Sequence, residues 1–99
     1  MLIESQQLSA KEINDLSIED KRVIIKNNKL GEVGDTISIV YKNYRLVNVD
    51  RISIILAAAR YYRLFGFTSP REFIEVWIEQ NKAPMHSTYT YIHYFDLTE

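Results

Sequence analysis

Leu64-Phe65-Gly66-Phe67-Thr68-Ser69-Pro70-Arg71-Glu72-Phe73-Ile74-Glu75-Val76-Trp77 constrains the fold more than any other run in the chain. Ser69 is a good N-cap, because its hydroxyl can accept an unpaired amide of a first helical turn. Pro70 then falls at N1, where its missing N–H costs nothing. Glu72 falls at N3 and completes a Ser-x-x-Glu capping box. Phe73, Ile74, Trp77 and Ile78 share one helical face, and Arg71, Glu72, Glu75, Glu79 and Lys82 the other, which predicts an amphipathic helix stopped by Asn81 and Pro84. Upstream, Gly66 is placed as the C′ residue of a preceding helix, in the left-handed conformation that only Gly adopts cheaply. The run therefore predicts two helices joined by a Gly-Phe-Thr-Ser corner, with Phe65 and Phe67 anchoring it.

The rest of the chain reads as strands around this corner. Met1–Ile3 is a short strand or lead-in. Ser9-Ala10-Lys11-Glu12 is a second capping box, opening a helix that turns Ile13 and Leu16 inward. Lys21–Lys26 is β-branched and reads as a strand. Asn27–Asp35 is a loop with Gly31 and Gly34, and Thr36–Tyr41 alternates as a strand. Lys42-Asn43 is expected to be a two-residue hairpin turn, because Asn tolerates positive φ. Tyr44–Val49 pairs back and can run on to Ile52. A helix over Ile54–Phe65 leads to the corner, and Thr88–Leu97 is a long closing strand. This order predicts an α+β fold, with a mostly antiparallel, barrel-like sheet of about five strands and about three helices. The expected core is Ile25, Ile39, Val47, Phe73, Trp77, Ile92 and Phe95.

The chain of 99 residues makes one domain, 1–99, and with 46% hydrophobic residues it can bury a core. It has no Cys, so disulfides and thiolate zinc sites are excluded. The longest apolar run, Ile54 to Ala59, is too short to span a bilayer, so no membrane partner is expected. The N-terminal residues lack the basic and apolar regions of a signal peptide, which points to an intracellular protein. Richness in Ile, Tyr, Lys and Glu leans toward a hyperthermophile.

The net charge of −1 conceals a division. Residues 21–63 hold nine bases (Lys21, Arg22, Lys26, Lys29, Lys42, Arg45, Arg51, Arg60 and Arg63) against the acids Glu32, Asp35 and Asp50, while both ends are acidic. A basic middle suits a surface that faces phosphates. The alternative is that these bases fold against the acidic ends and pair with them.

Three sets of residues resemble the ASCH domain, a branch of the PUA-like superfamily. They are Val33-Gly34-Asp35-Thr36-Ile37, Gly66-Phe67-Thr68-Ser69-Pro70-Arg71-Glu72-Phe73 with Trp77, and Ile92 to Leu97. Length and composition are also similar to small proteins of filamentous viruses that infect hot-spring archaea, of the lipothrixvirus and rudivirus type. The first resemblance implies a PUA-like fold and RNA binding. Some members of that family hydrolyse acylated cytidines or cut RNA. In its motif Gly-x-Lys-x-x-Glu-x-Arg, Lys21 takes the lysine position and Lys26 the arginine, but Glu19 replaces the glycine and Ile24 the glutamate. The amidohydrolase members use a lysine, a threonine three residues on and a glutamate before the corner glycine. Here only Lys21 is kept, and Ile24 and Phe65 replace the other two. One lysine cannot supply both nucleophile activation and proton transfer, so no catalytic residue is assigned.

The remaining candidates are weaker. His86 and His93 have no further ligands at metal spacing, so no metal or cofactor is expected, and a surface or strand-face place suits them. Seven tyrosines could stack on unpaired bases, although packing explains most of them. Asp35, Asp50 and Asp96 suit turn and capping roles. The expectation is a non-enzymatic PUA-like domain that binds RNA or another nucleic acid through Lys21, Arg22, Lys26, Lys29, Arg45 and Arg51. Arg22 and Lys26 are expected on one strand face and Lys21 on the other. The alternatives are a protein-interaction or self-assembling viral accessory protein, with a homodimer among its forms, and a residual hydrolase on modified nucleosides.

Overall fold

The computed structural model of the chain describes residues 1–81 and 89–98. Along them run β1 (Leu2–Ile3), a 3₁₀ turn (Ser5–Gln7), α1 (Ala10–Ser17), β2 (Val23–Lys26), β3 (Thr36–Ile39), β4 (Lys42–Ser53), α2 (Ile54–Tyr61), α3 (Pro70–Asn81) and β5 (Tyr89–Thr98). The described residues thus form an α+β fold with three α-helices and five strands in one sheet, ordered β1-β3-β4-β5-β2. The sheet is mixed: β1 runs parallel to β3, while β3 with β4 and β2 with β5 are antiparallel. It is open, with β1 and β2 at its edges. The residues group into two compact units, Met1–Asp50 with Tyr91–Glu99, and Arg51–Thr90.

The first unit has a core of Ile3, Leu8, Leu16, Ile24, Leu30, Ile37, Ile39, Tyr44, Leu46 and Phe95. Each such side chain, fully buried, contributes about 1.5–3 kcal/mol. The Ser9 capping box forms completely: Ser9 Oγ accepts the Glu12 N–H at 3.1 Å, and Glu12 Oε1 accepts the Ser9 N–H at 2.8 Å. This fixes the start of α1 and turns Leu16 fully inward, with Ile13 partly buried beside it. The loop before β3 is folded by Asp35, whose carboxylate accepts the Glu32 N–H at 2.8 Å. That bond lowers the Asp35 pKa. A Cβ on Gly31 would sit 2.7 Å from the same carboxylate, so the loop needs Gly there.

Two expectations are corrected in this unit. Val47 is 39% exposed and outside the core. Tyr44 and Leu46 take the inward positions of β4, so the period of two sends Arg45 and Val47 outward. The hairpin turn is Val40-Tyr41, not Lys42-Asn43, because Ile39 pairs with Lys42 across the ladder. Val40 (φ 49°) and Tyr41 (φ 65°) are both left-handed, as a type I′ turn requires. Neither residue suits that conformation, which costs roughly 1–2 kcal/mol per residue with a Cβ.

In the second unit, Ser53 Oγ accepts the Leu56 N–H at 3.3 Å and caps α2. Ile54, Ala57 and Ala58 are buried, and α2 packs on α3. After Tyr61 the chain turns as anticipated. Gly66 has φ 84°, its N–H donates to Arg63 O at 3.1 Å, and the Phe67 N–H donates to Tyr62 O at 2.9 Å. These two bonds are a Schellman motif. Ser69 Oγ accepts the Glu72 N–H at 3.1 Å, while the Glu72 carboxylate takes the Thr68 hydroxyl at 2.8 Å. Phe65 and Phe67 are half-buried and meet Phe73 edge-on, with ring centres 6.1 and 5.1 Å away. Phe73 and Trp77 form the buried stripe of α3. Asn81 ends the helix, its side-chain amide donating to Trp77 O at 3.0 Å. Lys82, Pro84, His86 and Thr88 lie outside the described residues.

Candidate nucleic-acid interface

The six bases expected at the interface fall into two classes. Four are held by acids within the first unit. Lys21 Nζ lies 3.3 Å from Asp15 Oδ1, and Lys26 Nζ lies 3.0 Å from Glu12 Oε1. Arg22 Nε donates to Asp20 Oδ1 at 2.8 Å, and Lys29 Nζ sits 2.9 Å from Glu32. The Arg22 pair raises the guanidinium pKa and lowers that of the Asp20 carboxyl. Three of these acids, Glu12, Asp15 and Asp20, come from the acidic N-terminal stretch, which therefore pairs with the basic run next to it.

The pairs differ in how readily a phosphate could displace them. Arg22–Asp20 and Lys29–Glu32 are exposed, and solvent screens such pairs so that they add little to stability. Lys21 is different. Its side chain is 18% exposed, and its partner Asp15 is buried and also held by Lys11 at 3.3 Å. Drawing Lys21 away leaves a buried carboxylate with one cation fewer. Lys26 is similarly recessed beside Glu12. The expected alternation of faces is also corrected. β2 begins at Val23, and Arg22 has φ 59°, so the strand period does not reach Lys21 or Arg22.

The other two expected bases have no carboxylate partner among the described residues. Arg45 is exposed on β4 opposite Thr36. Arg51 belongs to the second unit, where its guanidinium lies 4.1 Å from the centre of the Tyr89 ring. The second unit holds two further arginines that were not in the expected set. Arg60 is exposed in the last turn of α2. Arg63 lies three residues on, also exposed, with its guanidinium 5.3 Å from the Tyr62 ring centre and its Nε donating to the Tyr62 hydroxyl at 2.9 Å. The spacing of three was the signal in the sequence, since it makes the two arginines neighbours on a helical surface. α2 itself contains no acid.

His93 does not lie on the surface: it is fully buried on β5. Its Nε2 accepts the Leu30 N–H at 2.9 Å, and its Nδ1 lies 3.1 Å from Ile24 O. Both ring nitrogens are committed to the backbone, so His93 is a structural tie. His86 lies outside the described residues. No helix among the described residues is long and apolar enough to cross a membrane. Comparison of the chain with known protein families, curated proteins and solved structures returned no match.

Proposed function

We propose that the chain is a non-enzymatic, PUA-like binding domain for RNA or another nucleic acid, and that Arg60 and Arg63, with Arg51 in the same unit, meet the phosphates first. The observation that supports this reading is the sorting of the bases. The 21–29 run is neutralised by its own acids, while Arg51, Arg60 and Arg63 have no carboxylate partner among the described residues. Two of these arginines already lie against tyrosine rings, and such surfaces suit unpaired bases and the phosphates between them. The mostly antiparallel, barrel-like sheet of the ASCH branch belongs to the same proposal. The element order along the chain supports it, and β1 and β2 are the edges that a barrel would bring together.

Titration of labelled single-stranded RNA, duplex RNA and duplex DNA at low and moderate salt tests the proposal. Arg60→Ala with Arg63→Ala should weaken binding without altering sequence preference. It should also lower the log–log salt slope by roughly 0.7 for each single-strand phosphate contact removed. Lys21→Ala should weaken binding less. Absence of binding to all three probes at low salt would overturn the proposal. A second reading, a protein-interaction or self-assembling protein, draws on the exposed apolar residues Ile18, Val40 and Tyr41.

A further inference from the structure

Within the second unit, the end of β4 and the start of β5 are fastened side by side. Thr90 Oγ1 donates to Ile52 O at 3.0 Å, and β4 and β5 are neighbours in the sheet. Thr90 is fully buried, so the period of two along a strand turns Tyr89 outward. Tyr89 is 49% exposed, and the guanidinium of the exposed Arg51 lies 4.1 Å from its ring centre. At that distance the cation is attracted to the face of the ring. The two side chains thus make a planar, solvent-facing surface carried on strands, and little ordering remains to be done when a ligand arrives.

The other two arginines of the unit are arranged for charge. Arg63 is steadied by the Tyr62 hydroxyl through Nε, and its two terminal nitrogens make no hydrogen bond among the described residues. Arg60 makes no hydrogen bond or ion pair among them at all. α2 rises ~1.5 Å per residue, so Arg60 stands about 10 Å along the axis from the Ser53 cap. A few nucleotides at ~3.4 Å each cover that length. Residues 51–69 contain no Asp, Glu, Asn or Gln. The hydroxyls of Ser53 and Ser69 are spent on helix caps, and that of Thr68 on Glu72.

We infer that the ligand is a single strand, bound without regard to sequence: one unpaired base stacks on the Arg51–Tyr89 surface while Arg60 and Arg63 hold phosphates. This rests on the nucleic-acid reading above and narrows it to one class of ligand. A duplex offers the protein its phosphates and base edges, because its base faces lie against one another, so the Arg51–Tyr89 surface would stand idle on it. A single strand offers base faces and phosphates together. Every base has such a face, so stacking does not discriminate among them. Apart from its arginines, the stretch 51–69 supplies no amide or carboxylate to read a base edge.

The test titrates the full chain at low salt with three probes: oligouridylate, its duplex with oligoadenylate, and a strand of equal length that carries the sugars and phosphates without bases. Oligouridylate should bind at least about fivefold more tightly than either of the others, the smaller end of what one base–aromatic stack contributes. Tyr89→Leu should remove that advantage, and should leave the salt slope and the affinity for the base-free strand as they are in the wild type, because no charge is lost. Tyr89→Phe, which keeps the ring face, should recover the advantage. A duplex or a base-free strand bound as tightly as oligouridylate overturns the inference and leaves the nucleic-acid reading standing on phosphates alone. Tyr89→Leu that weakens the base-carrying and base-free strands alike, or neither, also overturns it. If Tyr89→Leu does not fold, the three probes on the wild type decide. Absence of binding to all three overturns the nucleic-acid reading, and this inference with it.

Discussion

The Nε2 of His93 accepts the backbone N–H of Leu30 at 2.9 Å, across 63 residues of sequence, while its Nδ1 meets the Ile24 carbonyl at 3.1 Å. An amide N–H only donates and a carbonyl only accepts, so the buried ring is neutral with its proton on Nδ1. Burial holds its pKa below the ordinary 6.5, and the charge of Lys26 adds to this. The Ile24 and Tyr91 backbone and the charge of Glu12 act in the opposite direction. Below pH 6.5 the unfolded chain takes up a proton that the folded chain refuses. The stabilisation is thus complete above 6.5 and is lost as pH falls toward the folded pKa. The urea midpoint of the wild type should drop between pH 7 and pH 5. His93→Phe should flatten this change and start about 1–3 kcal/mol lower at pH 7, because the Leu30 N–H loses its acceptor. Equal pH slopes in the two proteins would contradict this account.

Trp77 carries the buried stripe of α3 at 8% exposure, yet its Nε1 is buried with no hydrogen-bond partner among the described residues. Trp77→Ala should cost about 3–5 kcal/mol, as expected for deletion of a large buried ring. Trp77→Phe should cost less than half as much, because it also removes an unsatisfied donor whose burial costs about 1–3 kcal/mol. Urea unfolding of the three proteins checks both values. A loss below ~1 kcal/mol for Trp77→Ala would place the ring outside the core.

What was legible in the sequence was local. Ser9 with Glu12, and Ser69 with Glu72, announce helix starts because a cap and its amide are three residues apart. Gly66 announces the corner for the same reason. The hairpin turn is not legible because Val40-Tyr41 breaks the turn rules, which point instead to the next polar pair, Lys42-Asn43. Val47 was misassigned because a register shifted by one residue reverses every face of a strand. The candidate interface was less legible than the fold. Lys26 meets Glu12 across 14 residues, and no local pattern in the sequence announces that pairing. Arg60 and Arg63, on the helix before the corner, are legible in the sequence as the alternative site, and the acid partners of Lys21, Arg22, Lys26 and Lys29 bring them forward.

Gly66 offers a clean measure of backbone strain. Its φ is 84°, and a Cβ built there would meet nothing within 4 Å. Any cost of Gly66→Ala is therefore conformational, with no steric part. The expected loss is about 1–2 kcal/mol. Gly66→Asn should lose less, because Asn visits the left-handed region more readily. Thermal melts of the two variants test the order, and a loss from Asn as large as that from Ala would contradict it.

Lys21 occupies the position of the lysine that the amidohydrolase members of the resembled family use, and its surroundings argue against that chemistry. Its Nζ is 3.3 Å from Asp15 Oδ1 on a side chain only 18% exposed. Ile24, at the position of the threonine, is a buried core residue with no group to move a proton. Phe65, at the position of the glutamate, meets the Phe73 ring edge-on. Purified protein incubated with N4-acetylcytidine should release no acetate, followed by chromatography of the nucleoside. Asp15→Ala, which removes the carboxylate holding Lys21, should not create turnover, because nucleophile activation and proton transfer still lack a second group. Turnover by the wild type that disappears in Lys21→Ala would restore the hydrolase reading.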